Sequence, residues 1–164
     1  MTITIRHASA GEAEALSALA LRSKAHWGYS AEFMAACRHE LSYSEEQLAE
    51  EDSSFFVAAT GSTILGFYAI SRIDPEQYEL HALFVEPDHM ACGIGRRLLQ
   101  HAVDQVARLG GKSLLVQSDP QAAEFYAKAG GECVGSRESG SIPGRLLPLF
   151  RFEIGMRANG QAPA

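Results

Sequence analysis

The stretch from Tyr78 to Val106 restricts most strongly how this chain can fold. It opens with an apolar and aromatic run that stops at Pro87, a pattern that is typical of a buried strand. From Arg97 onward, apolar residues recur on one helical face: Leu98, Leu99, Ala102, Val103 and Val106. Gly93 and Gly95 stand where this helix begins, and a helix N-terminus presents unpaired N–H groups and the positive end of the helix dipole. Because glycine leaves room beside the backbone, the stretch predicts a strand, a diphosphate-binding loop and a helix.

Several kinds of loop place glycines at a helix start. A dinucleotide-binding loop needs G-x-G-x-x-G, and Leu98 stands at the third glycine position, so an NAD-dependent oxidoreductase is only a minor alternative. A nucleoside-triphosphate loop needs G-x-x-x-x-G-K followed by Ser or Thr, and the chain has no such run. For the two glycines alone, a tight turn into a helix without any ligand stays open.

Composition and charge narrow the class of protein. The 164 residues suit one domain, predicted at residues 1–157, with a flexible tail at 158–164. The net charge of −6 argues against a nucleic-acid partner, because such proteins normally carry a basic face. No apolar run has the length of a membrane span, and Arg6, Glu12 and Glu14 stand where a signal peptide needs its apolar core, so we expect a cytoplasmic protein without membrane contact. The three cysteines have no metal-ligand spacing, and we expect no metal.

Local signals divide the chain into short elements. Capping boxes at Ser9 and Ser44 open helices, and Asp119-Pro120 opens another; Ser30 is expected to cap a helix over 31–41. Two β-branched and aromatic runs joined by Gly61-Ser62 predict a hairpin. The predicted order is β-α-α-β-β-β-α-β-α-β-β. This order indicates an α/β domain in which a mixed central sheet of about seven strands carries helices on both faces.

The glycine loop resembles the coenzyme A-binding motif of the GNAT superfamily of acyl-CoA-dependent N-acyltransferases. That motif reads Q/R-x-x-G-x-G/A, and this chain has Met90-Ala91-Cys92-Gly93-Ile94-Gly95, with Met in place of Gln or Arg. In many members a later helix has Asn at its start and Phe-Tyr further on, which is similar to Asp119 followed by Phe125-Tyr126. The order of elements also matches along nearly the whole chain. The resemblance therefore implies the GNAT fold and acetyl-CoA as co-substrate.

The resemblance also implies which residues contact acetyl-CoA. In the family, a bulge splays the fourth strand, and its free N–H groups meet the acetyl carbonyl and the pantetheine amides. The glycine loop holds the diphosphate, and the later helix contacts the pantetheine arm. By position, the implied cofactor-binding residues are Leu83, Phe84, Val85, Met90, Ala91, Cys92, Gly93, Ile94, Gly95, Arg96, Asp119 and Tyr126.

Acyl transfer to an amine needs a neutral amine, hydrogen-bond donors for the thioester oxygen and a proton donor for the thiolate. By resemblance, Glu79 serves as the general base, often through water. His81 is the second candidate, because its ordinary pKa is about 6.5 and it shares a strand face with Glu79. Tyr126 stands where the family often has a proton-donating tyrosine, and a phenol suits this role. The structural alternatives are a polar strand edge for Glu79 and His81 and a core aromatic for Tyr126, and a covalent route through Cys92 is a minor alternative.

The acceptor usually lies in this fold between the first two helices and the loop that joins the last two strands. These segments contain Trp27, Tyr29 and Arg145. We expect Arg145 to hold a substrate carboxylate, whereas Trp27 and Tyr29 either stack on a flat or cationic group or fasten the helix turn to the core.

These features predict an N-acetyltransferase that moves acetyl from acetyl-CoA to a primary amine of a small molecule by direct attack in a ternary complex. The chain could do so as a homodimer. The alternative function is a catalytically idle acyl-CoA-binding module used for sensing or scaffolding.

Overall fold

The computed structural model describes residues 2–154. Its strands are β1 (Thr4–His7), β2 (Ser53–Thr60), β3 (Thr63–Asp74), β4 (Gln77–Val85), β5 (Ser113–Gln117), β6 (Glu132–Glu138) and β7 (Leu146–Glu153). Its α-helices are α1 (Ala13–Ala25), α2 (Ala31–Cys37), α3 (Glu45–Leu48), α4 (Ile94–Arg108) and α5 (Ala123–Lys128). Short 3-10 turns at Pro87–Cys92 and Pro120–Ala122 lead into α4 and α5. The predicted domain end at residue 157 and the predicted tail at 158–164 lie outside the described residues.

The strands form one seven-stranded sheet in the order β1-β2-β3-β4-β5-β7-β6. Strands β4 and β5 run parallel, and every other neighbouring pair is antiparallel. The parallel pair requires a crossover, and α4 provides it between the two strands. The predicted mixed α/β sheet is therefore confirmed. The order of strands and α-helices differs from the predicted one only in the short helix α3, which is a third helix between β1 and β2.

The two faces of the sheet carry separate apolar cores. One core joins the sheet to α4 and α5 through Leu98, Ala102 and Tyr126, and the other joins it to α1 and α2 through Leu16 and Cys37. Helices therefore cover both faces, as predicted. This arrangement leaves the start of α4, the start of α5 and the end of α1 near the middle strands of the sheet.

Local sequence signals set the helix boundaries with one exception. The Ser44 hydroxyl accepts the Gln47 N–H at 3.2 Å, and the Ser44 N–H donates to the Gln47 side chain at 2.8 Å, which completes the predicted capping box. Helix α2 ends at Cys37, so the expected range of 31–41 was too long. Residues 38–41 form a turn instead, and this turn still buries Leu41 in the core, where its side chain is 5% exposed. The apolar pattern alone could not separate the two outcomes.

The middle of the sheet opens where β4 and β5 separate. These strands pair only from Gln77 to Leu80, opposite residues 113–116. On its other side β4 carries a bulge, because Leu80 pairs with Ile70 and Ala82 pairs with Ala69, which leaves His81 as the extra residue. Beyond this point β4 continues alongside β3 alone. The splayed fourth strand that the resemblance implies is therefore present, and it leaves a gap in the sheet.

Candidate active site

A cavity of about 590 Å³ lies at the gap between β4 and β5. It reaches from the start of α4, past the free part of β4, to the end of α1. Its lining includes most of the residues singled out from the sequence: Trp27, Glu79, His81, Leu83, Phe84, Val85, Met90, Ala91, Gly93, Gly95, Arg96, Asp119 and Tyr126. Four residues singled out from the sequence are not part of the lining: Tyr29, Cys92, Ile94 and Arg145.

The end of the cavity near α4 has the backbone shape that a diphosphate group needs. Gly93 precedes α4 with a φ of 78°, a left-handed conformation that favours glycine, and its carbonyl accepts the Arg97 N–H at 3.1 Å. The N–H groups of Ile94, Gly95 and Arg96 therefore lie in the first turn, where no helical carbonyl is available to them. A Cβ atom placed on Gly93 would meet no other atom within 4 Å, so the space beside this backbone is open. The residues present thus fit an anionic group at this helix end.

Two other residues of the loop have different roles in the structure. A Cβ atom on Gly95 would lie 3.6 Å from the Phe125 ring, so this glycine lets α4 and α5 approach each other closely. The Met90 side chain packs against the apolar core beside α4. Met90 therefore offers apolar contact where the family motif has a Gln or Arg.

The free edge of β4 supplies hydrogen-bond donors in the middle of the cavity. The Glu86 N–H donates to the Leu65 carbonyl of β3 at 2.8 Å. Because alternate residues of an antiparallel strand point to the same neighbour, Phe84 also directs its N–H to β3, whereas Leu83 and Val85 direct theirs away from it. On that side β5 has already diverged. Of the three donors singled out from the sequence, the N–H groups of Leu83 and Val85 thus face the gap, whereas Phe84 lines the cavity without directing its N–H into the gap.

Tyr126 lies on α5 at the wall of the cavity, with 7% of its side chain exposed. Burial raises the pKa of its phenol above the ordinary value, and the negative charge of Asp119 adds to this effect. The hydroxyl therefore keeps its proton at neutral pH and is available as a donor. Its ring also packs with Phe125 and Phe150, at centroid distances of 5.1 and 6.0 Å. Tyr126 thus belongs to the core and to the cavity at once.

The two candidate bases line the same cavity but have different surroundings. The Glu79 carboxylate accepts a hydrogen bond from Arg137 at 3.1 Å, and the same Arg137 nitrogen donates to Gln117 at 3.2 Å. His81, on the bulge, is exposed toward the cavity, and its ring meets the Phe55 ring edge-on at 5.9 Å. Although part of the ring is open, the surrounding walls displace water from it, and this desolvation lowers the pKa of the imidazole below the ordinary 6.5. His81 is therefore neutral at pH 7 and has a free lone pair to accept a proton.

The opposite end of the cavity is formed by α1 and the segments that follow it. Trp27 lines this end with 40% of its side chain exposed. Tyr29 and Arg145 lie behind it: the Arg145 guanidinium donates to the Tyr29 hydroxyl at 2.8 Å, and that hydroxyl lies 2.8 Å from both carboxylate oxygens of Asp119. Tyr29 also stacks on Phe33 at 4.0 Å, so it fastens the turn to the molecule. The assignment of Arg145 to a substrate carboxylate stays a prediction.

Some lining residues at this end were not identified from the sequence. Lys24, Glu40 and Tyr43 line the cavity beside Trp27. The sequence did offer a reason to select Lys24 as a site residue, because Lys24 lies in the last turn of a helix that is expected next to the acceptor. Glu40 and Tyr43 follow α2 in irregular chain, and no motif marks them.

Burial and hydrogen bonds have opposite effects on Asp119. Burial raises the pKa of its carboxyl, but the N–H of Gln121, the hydroxyl of Tyr29 and the ammonium of Lys24 together lower it below the ordinary value. The carboxylate is therefore ionised at neutral pH. Its ion pair with Lys24 spans 3.1 Å.

Residues 2–154 contain neither a cluster of metal ligands nor a helix suited to a membrane. No three His, Cys, Asp or Glu side chains of this range come together as a metal-binding group. No helix in the same range has the length and apolar character needed to cross a membrane.

Comparison with known proteins identifies the family. The family model described as "Acetyltransferase (GNAT) family" matches residues 20–131. This chain therefore belongs to the GNAT family of acetyltransferases. The resemblance inferred from the glycine loop and from the α5 landmark is confirmed.

Relatives and solved structures agree with this assignment. The N-alpha-acetyltransferase RimI of Mycobacterium tuberculosis is 38% identical over 95 residues, which are 56% of this chain and 60% of RimI. The peptidyl-lysine N-acetyltransferase YjaB of Escherichia coli is 30% identical over 154 residues, covering 93% of this chain and 97% of YjaB. The PaiA N-acetyltransferase of Thermoplasma acidophilum, solved in complex with coenzyme A, superposes with a TM-score of 0.77 at 26% identity, over 93% of this chain and 99% of PaiA. The match thus spans less than two thirds of RimI but nearly all of YjaB and PaiA.

Proposed function

We propose that this chain transfers the acetyl group of acetyl-CoA directly to a primary amine while both substrates are bound. The observation that carries the proposal is the continuous cavity at the gap between β4 and β5. One end is an open helix N-terminus at Gly93, and the other end is bounded by Lys24 and Trp27. Two substrates that enter from opposite ends would meet beside Glu79, His81 and the free edge of β4.

Acetyl-CoA supplies an activated acyl group as a thioester, and the residues of the chain hold it and move protons. The first-turn N–H groups of α4 bind the diphosphate, and glycine at position 93 leaves space for it. The Leu83 and Val85 N–H groups point into the gap and donate to the carbonyl oxygen of the acyl group as negative charge develops there.

Each proton that moves during the transfer has a donor and an acceptor among the substrates, the site residues and solvent. The amine forms a bond to the acyl carbon, and the bond from that carbon to sulfur breaks. Glu79 takes the proton that the amine loses, directly or through a water, and His81 is the second candidate for this role. Tyr126 donates a proton to the departing sulfur, and solvent or the base returns one to Tyr126.

The acceptor is proposed to be a small-molecule amine. A cavity of about 590 Å³ is of the size that holds a small ligand together with part of a cofactor arm. A protein amine is the second candidate, because the relative that matches over nearly its whole length, YjaB, is named a peptidyl-lysine N-acetyltransferase. A small-molecule amine and a protein amine would both react through a primary amino group.

A thiol-release assay with acetyl-CoA tests the proposal. The panel pairs small amines with short peptides that offer either a free N-terminus or a lysine side chain. Thiol release that depends on an amine supports the enzyme, and the preferred class of amine identifies the acceptor. Calorimetric binding of coenzyme A without release by any amine would favour the idle binding module instead, and binding of NAD rather than coenzyme A would contradict both.

Gly93→Val tests the diphosphate site. We expect it to abolish measurable binding of coenzyme A, because a branched side chain would occupy the open space beside the first turn of α4. Calorimetry with coenzyme A measures the loss. Gly110→Val is the matched control, since Gly110 has a similar φ of 85° at the other end of the same helix and also faces open space. Equal binding by the two variants would contradict the assigned site.

A further inference from the structure

The carboxylate of Asp119 is the centre of a hydrogen-bonded cluster that the proposed chemistry does not use. It accepts the hydroxyl of Tyr29 at 2.8 Å, the ammonium of Lys24 at 3.1 Å and the N–H of Gln121 at 2.9 Å. The guanidinium of Arg145 lies 3.7 Å from the same carboxylate and donates to the Tyr29 hydroxyl at 2.8 Å. Every polar atom of this carboxylate is therefore occupied by the protein itself.

The cluster joins four segments that are far apart in the chain. Lys24 lies in the last turn of α1, Tyr29 lies in the turn before α2, Asp119 lies between β5 and α5, and Arg145 is the last residue of the loop before β7. The cations of Lys24 and Arg145 also lie within 6 Å of the stacked rings of Tyr29 and Phe33, at 5.5 and 5.8 Å for Lys24 and 5.3 and 4.8 Å for Arg145. The two aromatic rings thus share the cations with a single carboxylate.

The cluster is largely removed from solvent. The side chains of Lys24, Asp119 and Arg145 are 14%, 13% and 19% exposed. Loss of one member of a buried ion pair leaves an uncompensated charge, which is a large penalty, whereas an exposed pair contributes little. Removal of the Asp119 charge would leave two cations close to each other without their shared anion.

We propose that Asp119 is a positioning residue that fixes the acceptor wall of the cavity to the segment that carries Tyr126. Its backbone begins the turn into α5, and its side chain holds Lys24 and Tyr29, which flank Trp27 in the chain. Trp27 and Lys24 both line the acceptor end. The single carboxylate thereby sets the distance between the bound amine and Tyr126, which donates a proton to the departing sulfur, and such preorganisation is a recognised source of rate. The role of Asp119 in catalysis rests on the proposed transfer reaction, whereas its role in holding the Trp27 segment in place does not.

Asp119→Asn removes the charge and keeps the size and the oxygen that accepts the Gln121 N–H. Trp27 is the only tryptophan of the chain, so its fluorescence reports on the acceptor wall without any turnover. We expect the acrylamide quenching constant of Trp27 to rise about twofold or more as the turn opens locally. Calorimetry with coenzyme A is run in parallel, because the family resemblance also implies a contact between Asp119 and the pantetheine arm, and this measurement separates the two roles.

Glu124→Gln is the matched control. Glu124 lies on α5, one helical turn before its ion-pair partner Lys128, and their side chains are 78% and 68% exposed. The control makes the same chemical change on the same segment outside the cluster. It should leave both Trp27 quenching and coenzyme A affinity at wild-type values.

If circular dichroism shows that Asp119→Asn does not fold, Tyr29→Phe tests the same cluster in its place. It removes only the hydroxyl that joins Asp119 to Arg145, and it keeps the ring stacked on Phe33. We expect the same rise in Trp27 quenching. Where both variants fold, the double variant should show little more quenching than either single one, because residues that act as a unit are not additive.

Three results would overturn the proposal. The first is unchanged Trp27 quenching in folded Asp119→Asn or Tyr29→Phe. The second is loss of coenzyme A binding in Asp119→Asn with Trp27 unaffected, which would place Asp119 at the cofactor. The third is full additivity of the two substitutions. None of these depends on amine acetylation, so a failure of the proposed function is recognised separately, by the thiol-release assay.

Discussion

Tyr126→Phe is expected to lower kcat by about 10²- to 10⁴-fold, the usual loss when one proton-transfer partner is removed. The substitution keeps the ring, so packing against Phe125 and Phe150 is retained and only the hydroxyl is lost. Burial and the nearby Asp119 raise the pKa of this phenol, so the wild-type hydroxyl is protonated and ready to donate. The loss should appear in kcat with little change in KM, because the hydroxyl acts on charge that develops during the reaction.

Tyr78→Phe is the control for this experiment. Tyr78 belongs to the same apolar core, is 6% exposed and does not line the cavity. It should turn over at the wild-type rate. If Tyr126→Phe also did so, Tyr126 would be a core aromatic residue only.

The backbone features of the site were accessible from the sequence because short-range rules determine them. Gly93 needs a left-handed conformation before α4, and glycine is the residue that adopts it without strain. Gly61-Ser62 and the capping box at Ser44 define their turn and their helix within a few residues. The family landmarks at Gly93 and Tyr126 could likewise be recognised from the sequence, since each is a local motif on one element.

The contacts that complete the site are long-range, and no local pattern encodes them. Asp119 was read from the sequence as a helix cap, and it does accept the Gln121 N–H. Its bonds to Lys24 and Tyr29 join residues 95 and 90 positions apart, and only the folded chain shows that they meet. The pairing of Glu79 with Arg137 across 58 positions is of the same kind.

The bulge in β4 could not be predicted from the sequence either, but for a different reason. His81 lies within an apolar run that reads as one regular strand, and nothing in its composition marks an extra residue. The register with β3 reveals the extra residue, because Leu80 and Ala82 pair with the adjacent residues Ile70 and Ala69. Separation of β4 from β5 is likewise a property of the sheet as a whole, since β5 pairs with β4 only over residues 113–116 while β4 continues to Val85.

The second large effect is expected from the general base. Glu79→Gln should lower kcat/KM by about 10²- to 10⁴-fold, because an amide cannot take the proton from the amine. Glu76→Gln is the control, since Glu76 lies in the turn just before β4 and forms an exposed ion pair with Lys112. It should keep the wild-type kcat/KM, which is measured by thiol release with the best amine of the panel.

His81→Gln decides between the two candidate bases. Desolvation lowers the pKa of His81, so the imidazole is neutral above 6.5 and gains its proton only below that value. If His81 is the base, kcat/KM should be constant above pH 6.5 and fall as the pH drops through the lowered pKa of the imidazole. His81→Gln should then abolish that fall together with most of the rate. If Glu79 is the base, His81→Gln should retain most of the rate and Glu79→Gln should lose it. Rates close to the wild type in both variants would assign the proton to solvent. Thiol release before the amine is added would contradict direct transfer and reopen the covalent route through Cys92.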